Sequence, residues 1–174
     1  MNLGNSKSMP DWLAALFAGV SMSPLLHFCH RLVLGLLLGG MVMLALIVTP
    51  PLFLQLGIDQ ASQATAVIFP LYFRYVLLLF TLGLGLSLLL PKGRWWKLQL
   101  VLWAFGLSAN LVQLNWLLPE AESLRTQIGN FATTPKDNPQ RQAFGKLHGL
   151  SNGINLLVLL AVLGLLVVQP SKQE

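Results

Sequence analysis

The chain contains four long apolar segments with almost no charge inside them. Each approaches the roughly 20 residues that a helix needs to cross the bilayer's hydrocarbon core, which is about 30 Å thick. Lipid leaves backbone groups without water, so a spanning segment must be a helix or part of a closed barrel. Barrel strands alternate apolar and polar residues, whereas runs such as Val76–Phe80 are continuously apolar. The sequence therefore predicts an all-α polytopic membrane protein, an antiparallel bundle of four transmembrane helices. The predicted spans are residues 30–50, 66–90, 98–118 and 148–168.

The composition agrees with a membrane environment. Hydrophobic residues make up 55% of the 174 and charged residues 10%, whereas a soluble protein carries about 25% charged residues. The net charge is +5, but the basic residues lie mostly at segment ends, where lipid headgroups would meet them. We therefore expect membrane lipid as a partner and no nucleic acid. The single cysteine, Cys29, excludes an internal disulfide.

The chain divides into an N-terminal arm, one transmembrane domain and a short tail. The domain covers residues 30–168, the arm 1–29 and the tail 169–174. Apolar residues recur at helical spacing between Pro10 and Pro24, which predicts an interfacial helix lying on the membrane. A cleaved signal peptide is the alternative, and the proline directly after the candidate cleavage site argues against it.

The distribution of basic residues predicts the orientation. The loop between the first two spans contains no Lys or Arg, whereas the next loop contains Lys92, Arg94 and Lys97. With four spans, six basic residues fall on the side of the termini and four on the other side. Because positive loops stay inside, we expect both termini in the cytoplasm.

A polar stripe opens the fourth span. Its members are His148, Ser151, Asn152 and Asn155, whose spacing places them on one helix face. Such a face is costly toward lipid, so it should point into the bundle or a water-filled cleft. Two interpretations remain open: hydrogen bonds that join helices, or a ligand or ion site.

Arg74 and Gln113 add to this stripe because alternating helix directions bring them to the same outer side. An arginine inside a span should either pair with another group or snorkel to the membrane interface. No span contains an acid, so a partner of Arg74 would be an outer-loop acid such as Glu120 or Glu122, a carbonyl, a lipid phosphate or an anionic ligand. The predicted ligand-binding residues are Arg74, Gln113, His148, Ser151, Asn152 and Asn155.

Metal and catalytic sites have weaker support. His27 and His30 are three residues apart and could share one ion, but two ligands leave a copper or zinc site incomplete. No nucleophile–base pair, glycine-rich phosphate loop or paired carboxylate is present, so an enzyme is not expected. We expect no cofactor.

Several short motifs occur in a characteristic order. They are Pro51-Leu-Phe53, Phe69-Pro-Leu-Tyr-Phe73, Trp116 with Pro119, and Arg141, Phe144 and His148-Gly-Leu-Ser151. With this pattern the chain resembles the transmembrane protein 205-like family, the domain of unknown function 4149. The resemblance implies a four-helix membrane protein without an established activity. More distantly, the architecture is similar to copper-resistance D-type membrane domains.

The leading hypothesis is a small transporter or ligand-binding membrane subunit with a polar site in the outer half of the bundle and a small anionic ligand. One alternative is a structural or assembly protein, in which the polar residues only pack helices and the partner is a second copy or another membrane protein. A metal-handling protein similar to the copper-resistance domains is the other alternative.

Overall fold

The computed structural model describes residues 22–168, which form helices and connecting turns with no strand in that range. The predicted interfacial helix of the arm and the C-terminal tail lie outside the described residues. The helices are α1 (Met22–Val42), α2 (Thr49–Leu89), α3 (Trp96–Val112), α4 (Leu118–Ile128) and α5 (Pro139–Val167). A π-helical segment, Met43–Val48, joins α1 to α2, and a second, Gln113–Leu117, joins α3 to α4.

Gly57 interrupts the long α2. Its φ of 73° and ψ of 170° are not helical, and glycine reaches positive φ without the steric cost of a Cβ. The helical chain continues through Pro50 and Pro51, where the sequence predicted the end of the first span. These prolines follow the π-helical segment directly and occupy the first turn of α2. The break therefore comes at Gly57.

Two hydrogen bonds give the relative direction of α1 and the second part of α2. The Tyr75 hydroxyl donates to the Leu36 carbonyl at 2.8 Å, and His30 pairs with Ser87 at 3.0 Å, so the part of α2 after Gly57 runs antiparallel to α1. Gln113, directly after α3, donates to the Ser151 carbonyl of α5 at 3.0 Å.

Two glycines allow the helices to approach closely. A Cβ on Gly83 would overlap the Trp103 ring, with Cζ2 at 2.6 Å, and one on Gly106 would overlap Phe80, with Cδ1 at 2.6 Å. Trp103 and Phe80 are both fully buried in the core. Small residues four apart in the sequence, Gly83 with Ser87 and Gly35 with Gly39, predict such close helix contacts in lipid. The contact at Gly83 is confirmed, whereas the prediction at Gly35 and Gly39 was wrong within residues 22–168, because a Cβ at either position would meet nothing there within 4 Å.

Three helical stretches are long and apolar enough to cross a membrane. They are Pro24–Leu89, Trp96–Ile128 and Pro139–Val167. The first contains 66 residues, far more than the roughly 20 that one crossing needs, and it includes the break at Gly57. Large apolar side chains such as Leu46, Leu89 and Val167 point outward, which is typical of a surface that faces lipid.

In the sequence, Asn138 followed by Pro139 predicts an N-cap and the first position of a helix, and α5 begins at Pro139. The Asn138 side chain accepts a hydrogen bond from the Arg141 backbone N–H at 3.1 Å, and Pro139 occupies the first turn. Asparagine caps a helix in this way because its side-chain oxygen satisfies an N–H that the first turn leaves open. The predicted cap is confirmed.

Candidate functional site

A cavity of about 570 Å³ lies between α2, the end of α3 with α4, and the start of α5. Four of the predicted site residues line this cavity: Arg74, Gln113, His148 and Ser151. We call it the outer cavity because it lies on the side that the sequence predicts to face outward. Most of the other lining side chains are apolar, with aromatic rings from Phe69, Phe73 and Phe144 among them. Its size falls within the range of about 300–1,000 Å³ that is usual for small-molecule sites.

A second cavity of about 360 Å³ adjoins the first, between α2, α5 and the first π-helical segment. Its walls carry Asn152 and Asn155, and it shares His148, Ser151 and two phenylalanines with the outer cavity. All six predicted residues therefore lie on the walls of two adjoining cavities. That they bind a ligand stays a prediction.

Irregular backbone surrounds both cavities. The first π-helical segment contributes Leu44 to the second cavity, and the second π-helical segment contributes Gln113 to the outer cavity. Both segments contact α2, which contains Pro70 in its interior. Proline removes a helical hydrogen bond, and π-helical turns occur frequently at functional sites. Three neighbouring helical stretches thus lose regular hydrogen bonding around one space.

Gln113 and Ser151 use their polar groups on each other. The Gln113 side chain donates to the Ser151 carbonyl at 3.0 Å, and the Ser151 hydroxyl donates to Gln113 Oε1 at 2.9 Å. Gln113 is only 2% exposed. These two residues join the end of α3 to α5. For this pair, the structure agrees with the interpretation that the polar residues form hydrogen bonds between helices.

Arg74 is differently placed. Its side chain is exposed at the cavity wall, and it makes no hydrogen bond or ion pair with any other part of residues 22–168. Glu122, one of the partners considered from the sequence, instead pairs with Arg125, whose Nε donates at 2.8 Å while its Nη2 binds the other carboxylate oxygen. Glu122 as the partner of Arg74 was therefore wrong.

A loop that the sequence did not single out covers the outer end of the cavity. The Asp59 carboxylate, two residues after Gly57, accepts the backbone N–H groups of Phe131 at 2.5 Å and Ala132 at 3.1 Å. The Arg141 guanidinium donates to the Phe131 carbonyl at 2.7 Å and also to that of Thr134. Phe131 is 5% exposed and lines the cavity. The only signal for this contact in the sequence was Asp59, an acid between the first two predicted spans, where no basic residue is present.

Ring contacts connect this loop to the predicted site. Phe131 packs edge-on against Phe144 with centroids 5.0 Å apart, and Phe144 stacks on His148 with centroids 6.1 Å apart and planes 4° from parallel. Successive turns of α5 provide Phe144 and His148, because residues four apart lie on one face. The imidazole orientation is therefore linked to the loop.

His30 belongs to a separate buried cluster near the other end of the bundle. Its Nε2 lies 3.0 Å from Ser87 Oγ and 3.3 Å from the Gln99 amide nitrogen. Its ring packs edge-on against Trp103. Within residues 22–168, no three His, Cys, Asp or Glu residues are grouped as a metal site would require. The weak metal candidates His27 and His30 gain no third ligand there.

A family model described as a domain of unknown function, DUF4149, matches residues 32–130, more than half of the 174 residues. The chain belongs to this family. The DUF4149 match runs from α1 through α4 and includes Arg74 and Gln113, whereas the polar residues of α5 lie beyond it. No curated protein and no solved structure matches the chain.

Proposed function

We propose that this DUF4149 protein, which resembles the transmembrane protein 205-like group, is a ligand-binding membrane subunit or small transporter. It holds a small anionic ligand in the outer cavity. The proposal places four antiparallel helices across the membrane with both termini in the cytoplasm. Gly57 supports the fourth span, because it divides a helical stretch of 66 residues into two parts.

Arg74 is the observation that carries the proposal. A charged side chain within a membrane span is costly, and it pairs with another group or marks a ligand pathway. Arg74 lines the outer cavity and has no partner among residues 22–168. An anion in the cavity would supply that partner.

The charges on the cavity wall support the sign of the ligand. The wall contains two arginines, Arg74 and Arg125, and one carboxylate, Glu122. Because Glu122 already pairs with Arg125, one positive charge is left over when His148 is neutral. His148 stands at the junction of the two cavities and could donate or accept a hydrogen bond according to its protonation state.

One observation favours the rival hypothesis of a structural or assembly protein. Gln113 and Ser151 hydrogen-bond to each other. A conservative substitution at either residue should therefore weaken helix packing whether or not a ligand binds. The side chains of Arg74, Asn152 and Asn155 make no hydrogen bond within residues 22–168, and helix packing there does not account for them.

Native mass spectrometry of the full chain, released from its own membrane in a mild detergent, tests the proposal. We expect a noncovalent adduct on the wild type that Arg74→Gln loses. The substitution keeps side-chain length and removes only the charge. Arg94→Gln is the matched control, because Arg94 is exposed in the loop at the opposite end of the bundle.

Abundance separates the two hypotheses. His148→Ala and Asn155→Ala should reduce the adduct while the amount of folded protein stays normal. Loss of folded protein in these variants, together with the same adduct on every folded variant, would support a role in helix packing alone. Absence of an adduct that depends on Arg74 would contradict the proposed function.

A further inference from the structure

The wall of the outer cavity has an exposed arginine at the predicted depth of the membrane. Arg74 is exposed and lines the cavity, and it lies about eight residues into the predicted second span, or about 12 Å along the helix axis. At that depth the surface of a spanning helix meets acyl chains instead of water. In the proposed topology, a ligand bound to Arg74 would therefore be within reach of the lipid of the outer leaflet.

The aqueous end of the same cavity is covered. Phe131, 5% exposed, lies over it. The loop that carries Phe131 is anchored on both sides, to Asp59 of α2 by two backbone N–H groups and to Arg141 of α5 by two carbonyls. Anchors on two different helices hold the loop in place at this end of the cavity.

The walls are chemically two-sided. Aromatic and aliphatic side chains such as Phe69, Phe73 and Leu117 form most of the surface, and Arg74 adds an exposed guanidinium with no partner among residues 22–168. The adjoining cavity extends the apolar space with Leu44, Leu156 and Leu159. A ligand that fits both features has one negative head group and an apolar tail.

We propose that the ligand is an anionic amphiphile, with a carboxylate or phosphate head and an acyl chain, that enters sideways from the outer leaflet. This inference rests on the proposed function and names the substrate class of the same site. The head pairs with Arg74, and the tail lies along Phe69 and Phe73 toward the second cavity.

Photolabelling of the full chain in phosphatidylcholine nanodiscs tests the substrate class. The probes are palmitate, phosphatidylglycerol and hexadecanol, each carrying the same photoactivatable group on its chain. We expect one or both anionic probes to label residues 66–74 and 113–118, and hexadecanol to label them weakly. Labelling by palmitate alone would identify the head as a fatty-acid carboxylate, and labelling by phosphatidylglycerol alone as a phospholipid phosphate.

The charge of Arg74 should decide the labelling. A hydrogen-bonded ion pair lost from a site of low dielectric costs about tenfold or more in affinity, so Arg74→Gln should reduce labelling by the anionic probe about tenfold. Arg74→Lys should restore part of it, and Arg94→Gln should leave it unchanged. Because the Arg74 side chain makes no hydrogen bond or ion pair within residues 22–168, these variants should fold normally, as size-exclusion chromatography would verify.

Three outcomes would overturn the inference. They are equal labelling by hexadecanol and the anionic probes, labelling that is the same in Arg74→Gln and Arg94→Gln, and loss of labelling in the presence of excess inorganic phosphate. If native mass spectrometry finds an adduct that depends on Arg74 and has the mass of a water-soluble anion, the proposed function is supported and the inference of an amphiphilic ligand is wrong. If no such adduct exists, both fail.

Discussion

Replacing Gly83 with alanine should destabilise the bundle, although alanine is the better helix former. A Cβ at this position would overlap the Trp103 ring, with Cζ2 at 2.6 Å and two other ring atoms closer. Trp103 is fully buried between Phe80 and His30, so its indole has no free space into which to move. The two helices must separate or the ring must leave its rotamer.

The magnitude follows from two opposing effects. Overpacking a well-packed core costs about 1–3 kcal/mol, while the change from glycine to alanine in a helix gains about 0.5–1 kcal/mol. We therefore expect Gly83→Ala to lower the free energy of unfolding by about 1–2 kcal/mol. Gly39→Ala is the matched control, because a Cβ there meets nothing within 4 Å, and it should be neutral or slightly stabilising.

The assay is unfolding of the purified chain in mixed micelles by added SDS, followed by tryptophan fluorescence. The difference between the two variants should be about 2 kcal/mol, with Gly83→Ala the less stable. Equal stability of Gly83→Ala and Gly39→Ala would refute the close approach of α2 and α3 at Trp103.

Three further predictions concern topology, capping and metal. In a Cys29→Ser background, a membrane-impermeant maleimide added outside should label Gln60→Cys and not Gly93→Cys; the reverse pattern would contradict cytoplasmic termini. Asn138→Ala removes the cap of α5 and should cost about 1 kcal/mol in the same SDS titration, whereas no change would mean that the cap does not contribute. Elemental analysis of the purified monomer should find no tightly bound copper or zinc, and near-stoichiometric metal that is lost on replacing His27 and His30 would promote metal handling to the leading function.

The sequence was informative about helix location because membrane solvent constrains it strongly. Span length, apolar composition and the Asn138–Pro139 start of α5 all follow from local physical rules, and the structure has helices at each predicted span. The ends of the helices were harder to predict from the sequence. Proline is compatible with a first helical turn, so Pro50 and Pro119 mark the start of a new α-helix after a π-helical segment and not the end of the helical chain.

Long-range partners could not be predicted from one sequence. Helical periodicity places His148, Ser151, Asn152 and Asn155 on one face, and the structure places that face on two cavity walls. Helical periodicity does not predict that Gln113 contacts Ser151, or that Glu122 pairs with Arg125. Each of these side chains has several possible partners within reach, and periodicity does not show which of them it binds. Asp59 and the Phe131 loop are separated by about 70 residues, and no local pattern links them.

The two glycine pairs show the same limit. Gly35 with Gly39 and Gly83 with Ser87 have equivalent spacing, so the sequence cannot distinguish a helix contact from a lipid-facing pair. Whether a glycine forms a helix contact depends on the residue of the neighbouring helix that faces it. Trp103 lies against Gly83, whereas nothing within residues 22–168 approaches Gly35. Small residues permit close packing in membranes but do not by themselves specify it.

The most direct test of the central claim is an experimental structure of the full chain purified with its native lipids. The account predicts elongated density in the outer cavity, with a negatively charged head within hydrogen-bond distance of the Arg74 guanidinium. A cavity filled by protein side chains, or a bound molecule that does not contact Arg74, would contradict it.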